Sequence, residues 1–456
     1  MAQTADDSQS LRAFTPVLVL LAICILINYV DRGNLSIAAP LLKDELRISA
    51  SQLGILLAAF FWTYTAMQFV SGWLVDRFDV NLVIGAGYLL WSLATATTGI
   101  VQGFTILLMM RLMLGIGESV AFPSCSKILA RQLPEHHRGF ANGVIQSALK
   151  FGNAVGTFGS GLLMAMYGWR PVFIGVGLVS LLWLPAWMKW MPSGRAMRCS
   201  VVKTAGYVDI LRQRSFWGAS LGHFCGNYLL YFMVTWLPFY LVRERNLSMQ
   251  RMTTTARVFY LVDAVSAITS GRLSGFWIRK GYTTTLVRKT AMAIGFVTAA
   301  IAMAACAQRP HTYLPWLIAV GVGSGISGAG IFAFSQTLAG PEAAGRWTGL
   351  QNGFANLAGV VAPALTGFAV ERTGSFVAPM VITTAVLMVG AMAWVFLVGR
   401  VEQVNWAVNG EVYEARISSE FQPRLGCSAT IPIRSLKSRS ARAMQDGVRL
   451  ALLHFL

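Results

Sequence analysis

The sequence predicts an all-α membrane protein of twelve transmembrane helices in two six-helix bundles. Three observations carry this. First, 55% of the 456 residues are hydrophobic and only 12% are charged, with a mean hydropathy of +0.57. A soluble domain carries roughly 25% charged residues, so this chain lacks the polar surface of a water-facing globule. Second, twelve apolar runs reach the length of about 18 residues or more that reads as a bilayer-crossing helix. Third, the chain echoes itself. Gly72-Trp73-Leu74 has a counterpart in Gly271-Arg272-Leu273, and Pro134-Glu135 with Arg138, Asn142 and Gly143 is answered by Pro341-Glu342 with Arg346, Asn352 and Gly353. A repeat of this kind in one orientation implies two related bundles about an axis along the membrane normal, with substrate between them.

Residues 1–13 read as a polar N-terminal tail and 14–190 as the first bundle. Its spans cover about 14–40, 51–75, 81–101, 104–129, 139–166 and 171–190. Residues 191–214 form a linker, in which Arg195, Arg198, Lys203, Arg212 and Arg214 face one acid, Asp209. The second bundle occupies 215–399, with spans at about 215–241, 254–277, 288–307, 313–338, 346–370 and 376–398. Residues 400–456 form a tail that becomes basic and shows no apolar periodicity before Val448.

Net charge is +18. The basic residues cluster in short loops beside the spans and in the tail, which is the positive-inside pattern rather than a nucleic-acid surface. The bias puts both termini in the cytoplasm, softened by Arg243, Arg245, Arg251 and Arg257 on the outer side. No cleavable leader is expected, because no small-residue cleavage site follows the first apolar run. The six cysteines have no paired spacing, so neither a disulfide framework nor a metal site is expected.

The chemistry begins at Asn28-Tyr29-Val30-Asp31-Arg32-Gly33-Asn34-Leu35-Ser36, where an acid and an arginine stand inside the first span. Charges at that depth cost at least about 2.5–3.5 kcal/mol each and normally face a protein interior or a wet cavity. As neighbours, Asp31 and Arg32 project about 100° apart on a helix, so one can face a central cavity and the other an adjacent helix. An anchoring pair at the interface is the plainer reading. Arg111 and Glu118, seven apart in the fourth span, share a face. Arg111 stays charged and can grip a carboxylate with two parallel bonds. Glu118 can change protonation as that pairing changes. A purely structural ion pair between the first and fourth spans is the alternative.

Tyr29, Tyr64, Gln146, Lys150, Asn227, Gln336, Asn352 and Asn356 are polar groups within spans, suited to a hydroxylated substrate or to interhelical hydrogen bonds. Lys150 and Asp263 are further intramembrane charges, and His223 reads as structural. Gly72, Asp76 and Arg77 close the second span as a packing and gating signal. Gly152/Gly156 and Gly321/Gly325, at four-residue spacing, suit tight helix packing. No nucleotide loop is present, since no Gly-Lys-Ser/Thr follows the glycines.

In these motifs, together with Ala121-Phe122-Pro123-Ser124, Gly168-Trp169-Arg170 and Trp236-Leu237-Pro238-Phe239-Tyr240-Leu241, the chain resembles a major facilitator superfamily transporter over about 14–398. It is most similar to the anion:cation symporter family of bacterial hexuronate, aldonate, glucarate and phthalate carriers. The resemblance implies rocker-switch alternating access. It assigns proton coupling to Asp31 and Glu118, and contact with the substrate anion or those acids to Arg32 and Arg111. It places Tyr29 and Tyr64 along the cavity. Two departures stand out. Asp79-Val80-Asn81 replaces the usual basic cluster after the second span, and Gly275 stands where an acid is common in the second copy.

The expectation is a secondary transporter of a bacterial inner membrane that imports an organic anion, such as a sugar acid, with protons. It needs no cofactor, metal or nucleic acid and works as a monomer. Substrate contacts fall to Arg32, Arg111, Tyr29, Tyr64, Gln146, Asn352 and Asn356. The nearer rival is a facilitator or proton-coupled exporter of a neutral solute or drug with the same fold. The further rival, a membrane enzyme or sensor, would need a catalytic cluster or soluble signalling domain that the sequence lacks.

Overall fold

Helices account for almost all of the described residues, and no strand occurs among them. The computed structural model describes residues 2–191, 205–308 and 312–406. Most of the 191–214 linker and the tail beyond 406 therefore lie outside the described residues. Residues 1–404 pack as one unit, and a second unit spans Asn405–Leu456.

The helices are α1 (Ala2–Glu45), α2 (Ala50–Arg77), α3 (Val80–Thr98), α4 (Phe104–Glu118), α5 (Ala121–Gln132), α6 (Glu135–Ala154), α7 (Ser160–Tyr167), α8 (Trp169–Ser180) and α9 (Trp183–Trp190). After the short α10 (Tyr207–Leu211) come α11 (Arg214–Phe239), α12 (Met249–Arg279), α13 (Thr284–Gln308), α14 (Tyr313–Asn356), α15 (Ala358–Thr373) and α16 (Val377–Met392). Single π-helical turns at Val155–Gly159, Tyr240–Glu244 and Ala393–Leu397 continue α6, α11 and α16. Pro238, inside α11, removes a ladder donor just before one of them.

Nine helical stretches among the described residues are long and apolar enough to cross a membrane. One of them, Tyr313–Thr373, is 61 residues long, or roughly 90 Å at 1.5 Å per residue, far more than one crossing. It bends at Gly340, whose φ of 65° and ψ of 176° break the helix, and Pro341 starts the next arm. Two more arms, α6 with α7 and α12, are less apolar because each carries polar side chains on the face it turns to the other. Ser147 donates to the Ala264 carbonyl at 2.7 Å, and Lys150 pairs with Asp263 at 2.9 Å. With these, the described residues contain the twelve arms that the sequence predicts.

Local sequence sets the ends. Ser49 and Gln52 cap α2 reciprocally. Asp79 caps α3 by accepting from the Asn81 amide at 2.9 Å, which gives the unusual Asp79-Val80-Asn81 stretch a structural task. Helix α1 already begins at Ala2, because nothing in the polar stretch before the apolar run breaks a helix. The expected fourth span is interrupted after Glu118. Pro123 has no amide to offer the Ser119 carbonyl, and the helix restarts as α5. At the far end of α1, Glu45 accepts from Trp169 Nε1 at 2.6 Å and Arg170 Nε at 2.8 Å, while Arg170 also donates to the Gly99 and Val101 carbonyls. The Gly168-Trp169-Arg170 motif thus ties α1, α3 and α8 together.

The glycine pairs pack as expected. A Cβ on Gly156 would lie 2.9 Å from Val30 Cα of α1, and one on Gly325 would collide with the Asp263 carbonyl oxygen of α12. Such close approach leaves room for no side chain.

Candidate functional site

Arg32 projects from α1 into a cavity of about 430 Å³ that Tyr29, Phe60, Arg111, Tyr231 and Thr235 also line. Its guanidinium lies 4.5 Å from the Tyr29 ring centre, 4.3 Å from that of Tyr64 and 5.0 Å from that of Phe60. Aromatic faces are attractive to a cation with little water around it. Its Nε donates to Glu118 Oε2 at 2.8 Å. Glu118 is fully buried at the last turn of α4. The pair uses one bond, leaving Nη2 of Arg32 and Oε1 of Glu118 without partners among the described residues.

Adjacent positions diverge as their helical offset requires. Arg32 faces the cavity, and Asp31 is buried on the side of Tyr88 and Thr95 of α3. Neither Asp31 oxygen has a hydrogen-bond partner among the described residues, and its charged neighbours are Glu118 and Arg111. Arg111, 4% exposed, lines the same cavity as Arg32 from α4. The two acids and two arginines therefore share one electrostatic cluster at the junction of α1 and α4, as their spacing suggests.

A second layer joins the later arms to this cluster. Asn352 Nδ2 donates to the Tyr64 hydroxyl at 3.1 Å. Asn356 donates to Asn352 Oδ1 at 3.0 Å and accepts from the Tyr231 hydroxyl at 2.7 Å. Gln146 sits in a smaller adjoining cavity of about 40 Å³ with Tyr29, Lys150, Asn227 and both asparagines. Lys150 is spent on its ion pair with Asp263, which also accepts from Ser324 Oγ at 3.2 Å. His223, buried beside the smaller cavity, meets Gln351 at 3.4 Å. Gln336 lies elsewhere and exchanges two hydrogen bonds with Asn142, the interhelical role.

The gating motif lies away from the cavity, where polar bonds cross-link the arms. Asp76 accepts from Lys127 Nζ at 2.6 Å and from the amides of Gly345 and Arg346 at 3.1 and 2.8 Å. These amides belong to the first turns after the Gly340 bend, where helix N-terminal charge favours a carboxylate. A Cβ on Gly72 would lie 2.7 Å from the Gly345 carbonyl oxygen, so this crossing needs glycine. Arg77, by contrast, is exposed and joins none of these bonds. Nearby, Glu135 bonds with Arg138, Arg288 and Thr337.

Phe60, Tyr231, Lys127 and Arg288 belong to these networks but did not stand out in the sequence. The aromatic residues sit in aromatic-rich apolar runs and carry no distinguishing pattern. Lys127 and Arg288 did carry a signal, as charges at the edges of apolar spans. No cluster of metal-binding side chains occurs among the described residues.

The sequence profile described as Major Facilitator Superfamily matches residues 21–287. The chain is 29% identical over 412 residues to the probable sulfoacetate transporter SauU of Cupriavidus necator, covering 85% of this chain and 94% of that protein. It is 28% identical over 436 residues to the probable galactarate/D-glucarate transporter GarP of Escherichia coli K12, covering 88% and 98%. A hexuronate transporter of Bacillus subtilis is 27% identical over 83% of this chain and 92% of its own length. Among solved structures, the crystal structure of the MFS transporter FucP in the outward conformation superposes with a TM-score of 0.68 at 14% identity, covering 84% of this chain and 99% of FucP. At that identity the likeness shows the fold alone.

Proposed function

We propose that this chain, which belongs to the Major Facilitator Superfamily, imports a small organic anion by proton symport. As a multi-pass membrane carrier rather than an enzyme, it does its work through binding and conformational change. The observation that carries the reading is the convergence of Arg32 and Arg111 on one cavity beside two buried carboxylates. Two arginines in a cavity with Tyr29 and Tyr231, beside a smaller one with Asn352 and Asn356, suit a hydroxylated carboxylate, because arginine pairs with carboxylate in a planar, two-pronged way. The names of the relatives point to the same class: sulfoacetate, galactarate or glucarate, and hexuronate.

The proposed cycle follows from the pairing. Proton uptake at Glu118 releases Arg32, whose free Nη groups then take the substrate carboxylate. Asp31, beside Arg111 and Glu118, takes part in the same titration. Tyr64 and Tyr29 hold the guanidinium plane, and Asn352, Asn356 and Gln146 meet hydroxyl groups. Binding lets the cross-links around Asp76 and Glu135 break and the two bundles rock. Proton release on the other side restores the Arg32–Glu118 pair and expels the anion. On this reading the chain lies in a bacterial inner membrane with both termini cytoplasmic and acts as a monomer.

The experiment is a competition panel on proteoliposomes. D-glucarate, D-glucuronate and sulfoacetate compete for uptake, neutral hexoses do not, and a pH gradient acid outside drives accumulation. Competition by neutral solutes with pH-independent uptake would overturn the reading in favour of a neutral-solute facilitator.

A further inference from the structure

The second copy of the internal repeat lacks the acid of the first, and a basic cavity lies beside the position where it is missing. In the first copy, Asp76 stands four residues after Gly72 and neutralises Lys127. In the second copy, the position four residues after Gly271 is Gly275. An acid could not be accommodated there, since a Cβ on Gly275 would collide with the His136 carbonyl oxygen. Beside this glycine is a cavity of about 480 Å³ lined by Arg272, Arg279, His136 and His137, with no carboxylate in its lining. The nearby acid, Glu135, is engaged by Arg138, Arg288 and Thr337. Two guanidinium groups thus line a cavity beside the position where the first copy carries an anionic side chain.

The surroundings identify the kind of anion. Arg272 lies 5.0 Å from the ring centre of Phe140, which orients its charge toward the cavity. Leu273 is 52% exposed, and Phe276 and Trp277 are each 41% exposed, on the same stretch of α12. Lys280 lies 4.6 Å from the Phe276 ring centre. Exposed apolar and aromatic side chains beside a basic cavity at the end of a membrane-crossing helix form the boundary where lipid chains end and headgroups begin.

We propose that the cavity between α6 and α12 binds the phosphate of an anionic phospholipid, with Arg272 and Arg279 as its charge partners and Leu273 and Phe276 against its acyl chains. The lipid would supply from the bilayer the negative charge that the second copy of the motif lacks. Since the site lies apart from the Arg32 cavity, the assignment is independent of the transport reading.

The test uses the full chain purified in neutral detergent. Thermal unfolding is followed with phosphatidylglycerol, phosphatidylcholine or inorganic phosphate, and native mass spectrometry counts bound lipid. Phosphatidylglycerol is expected to raise the midpoint by several degrees and to remain bound, with phosphatidylcholine giving little shift. The Arg272→Gln/Arg279→Gln variant, altered only at exposed positions, is expected to unfold near the wild-type midpoint without lipid and to lose at least half of the shift. Arg272→Lys/Arg279→Lys keeps most of it, as does Arg251→Gln, a basic position outside the cavity. An undiminished shift and lipid count in the double glutamine variant would overturn the site. An equal shift with inorganic phosphate alone, lost in that variant, would overturn the lipid as its occupant.

Discussion

Arg32 and Glu118 form a one-bond ion pair at 2.8 Å between α1 and α4, with the guanidinium held among the rings of Tyr29, Tyr64 and Phe60. The aromatic faces fix the plane of the guanidinium, and the single bond leaves hydrogen-bonding capacity on both partners. Such a pair can exchange one carboxylate for another without moving far.

Arg32→Lys keeps the charge but loses the flat face and the fork of donors. Substrate affinity is expected to fall at least tenfold while the protein still folds, read as the concentration for half-maximal binding in a thermal-shift titration. Arg32→Ala leaves Glu118 buried without its partner, at a cost of about 3–5 kcal/mol, and is expected to lower the unfolding midpoint as well.

Tyr64→Phe removes the hydroxyl that accepts from Asn352 but keeps the ring over Arg32. A neutral hydrogen bond is worth about 0.5–1.5 kcal/mol, so substrate affinity should weaken by about two- to tenfold. Asn352→Ala should cost more, since Asn356 loses a partner too. The double variant should fall short of the summed losses, because the residues act as one network.

Asp76→Asn strands Lys127, whose side chain is 1% exposed, and weakens the bonds to the Gly345 and Arg346 amides. The cross-linked end should loosen. A cysteine placed at buried Ser126, which accepts from Thr348 Oγ1 at 2.8 Å, should react faster with a maleimide in the Asp76→Asn background than alone. Unchanged labelling would show that Asp76 does not hold that end closed.

Glu45, outside the membrane-spanning segment, gives a pH signature. Hydrogen bonds from Arg170 and then Trp169 hold its carboxyl below the usual range. A lowered folded-state value means that its contribution is fully present above the unfolded value, about 4.3, and fades as pH falls through the folded value. Glu45→Gln should therefore unfold at a lower temperature than wild type at pH 7. The gap should narrow below about pH 4.

The sequence made the cluster at the α1–α4 junction legible because charges inside apolar runs are conspicuous. Arg32, Arg111, Asp31 and Glu118 needed only the cost of burying charge to stand out, and the gap between the spans expected at about 313–338 and 346–370 contains the bend in α14. The pairing was not legible. That Glu118 takes Arg32, that Asp31 turns toward α3, and that Lys150 meets Asp263 depend on helix rotation and on contacts between distant arms. Tyr231 and Phe60 were hidden for a different reason: an aromatic residue in an apolar helix looks the same whether it faces lipid or a guanidinium. Pro123 was noted as part of a motif, yet its effect on the helix, a restart after Glu118, emerged only from the backbone.

The central claim is that Glu118 couples proton uptake to the release of Arg32. The most direct measurement is accumulation of a competing sugar acid in proteoliposomes carrying Glu118→Gln, under a pH gradient acid outside. The account predicts that this variant still binds substrate and exchanges it across the membrane, yet fails to accumulate it above the outside concentration. Accumulation at the wild-type level under the same gradient would contradict it.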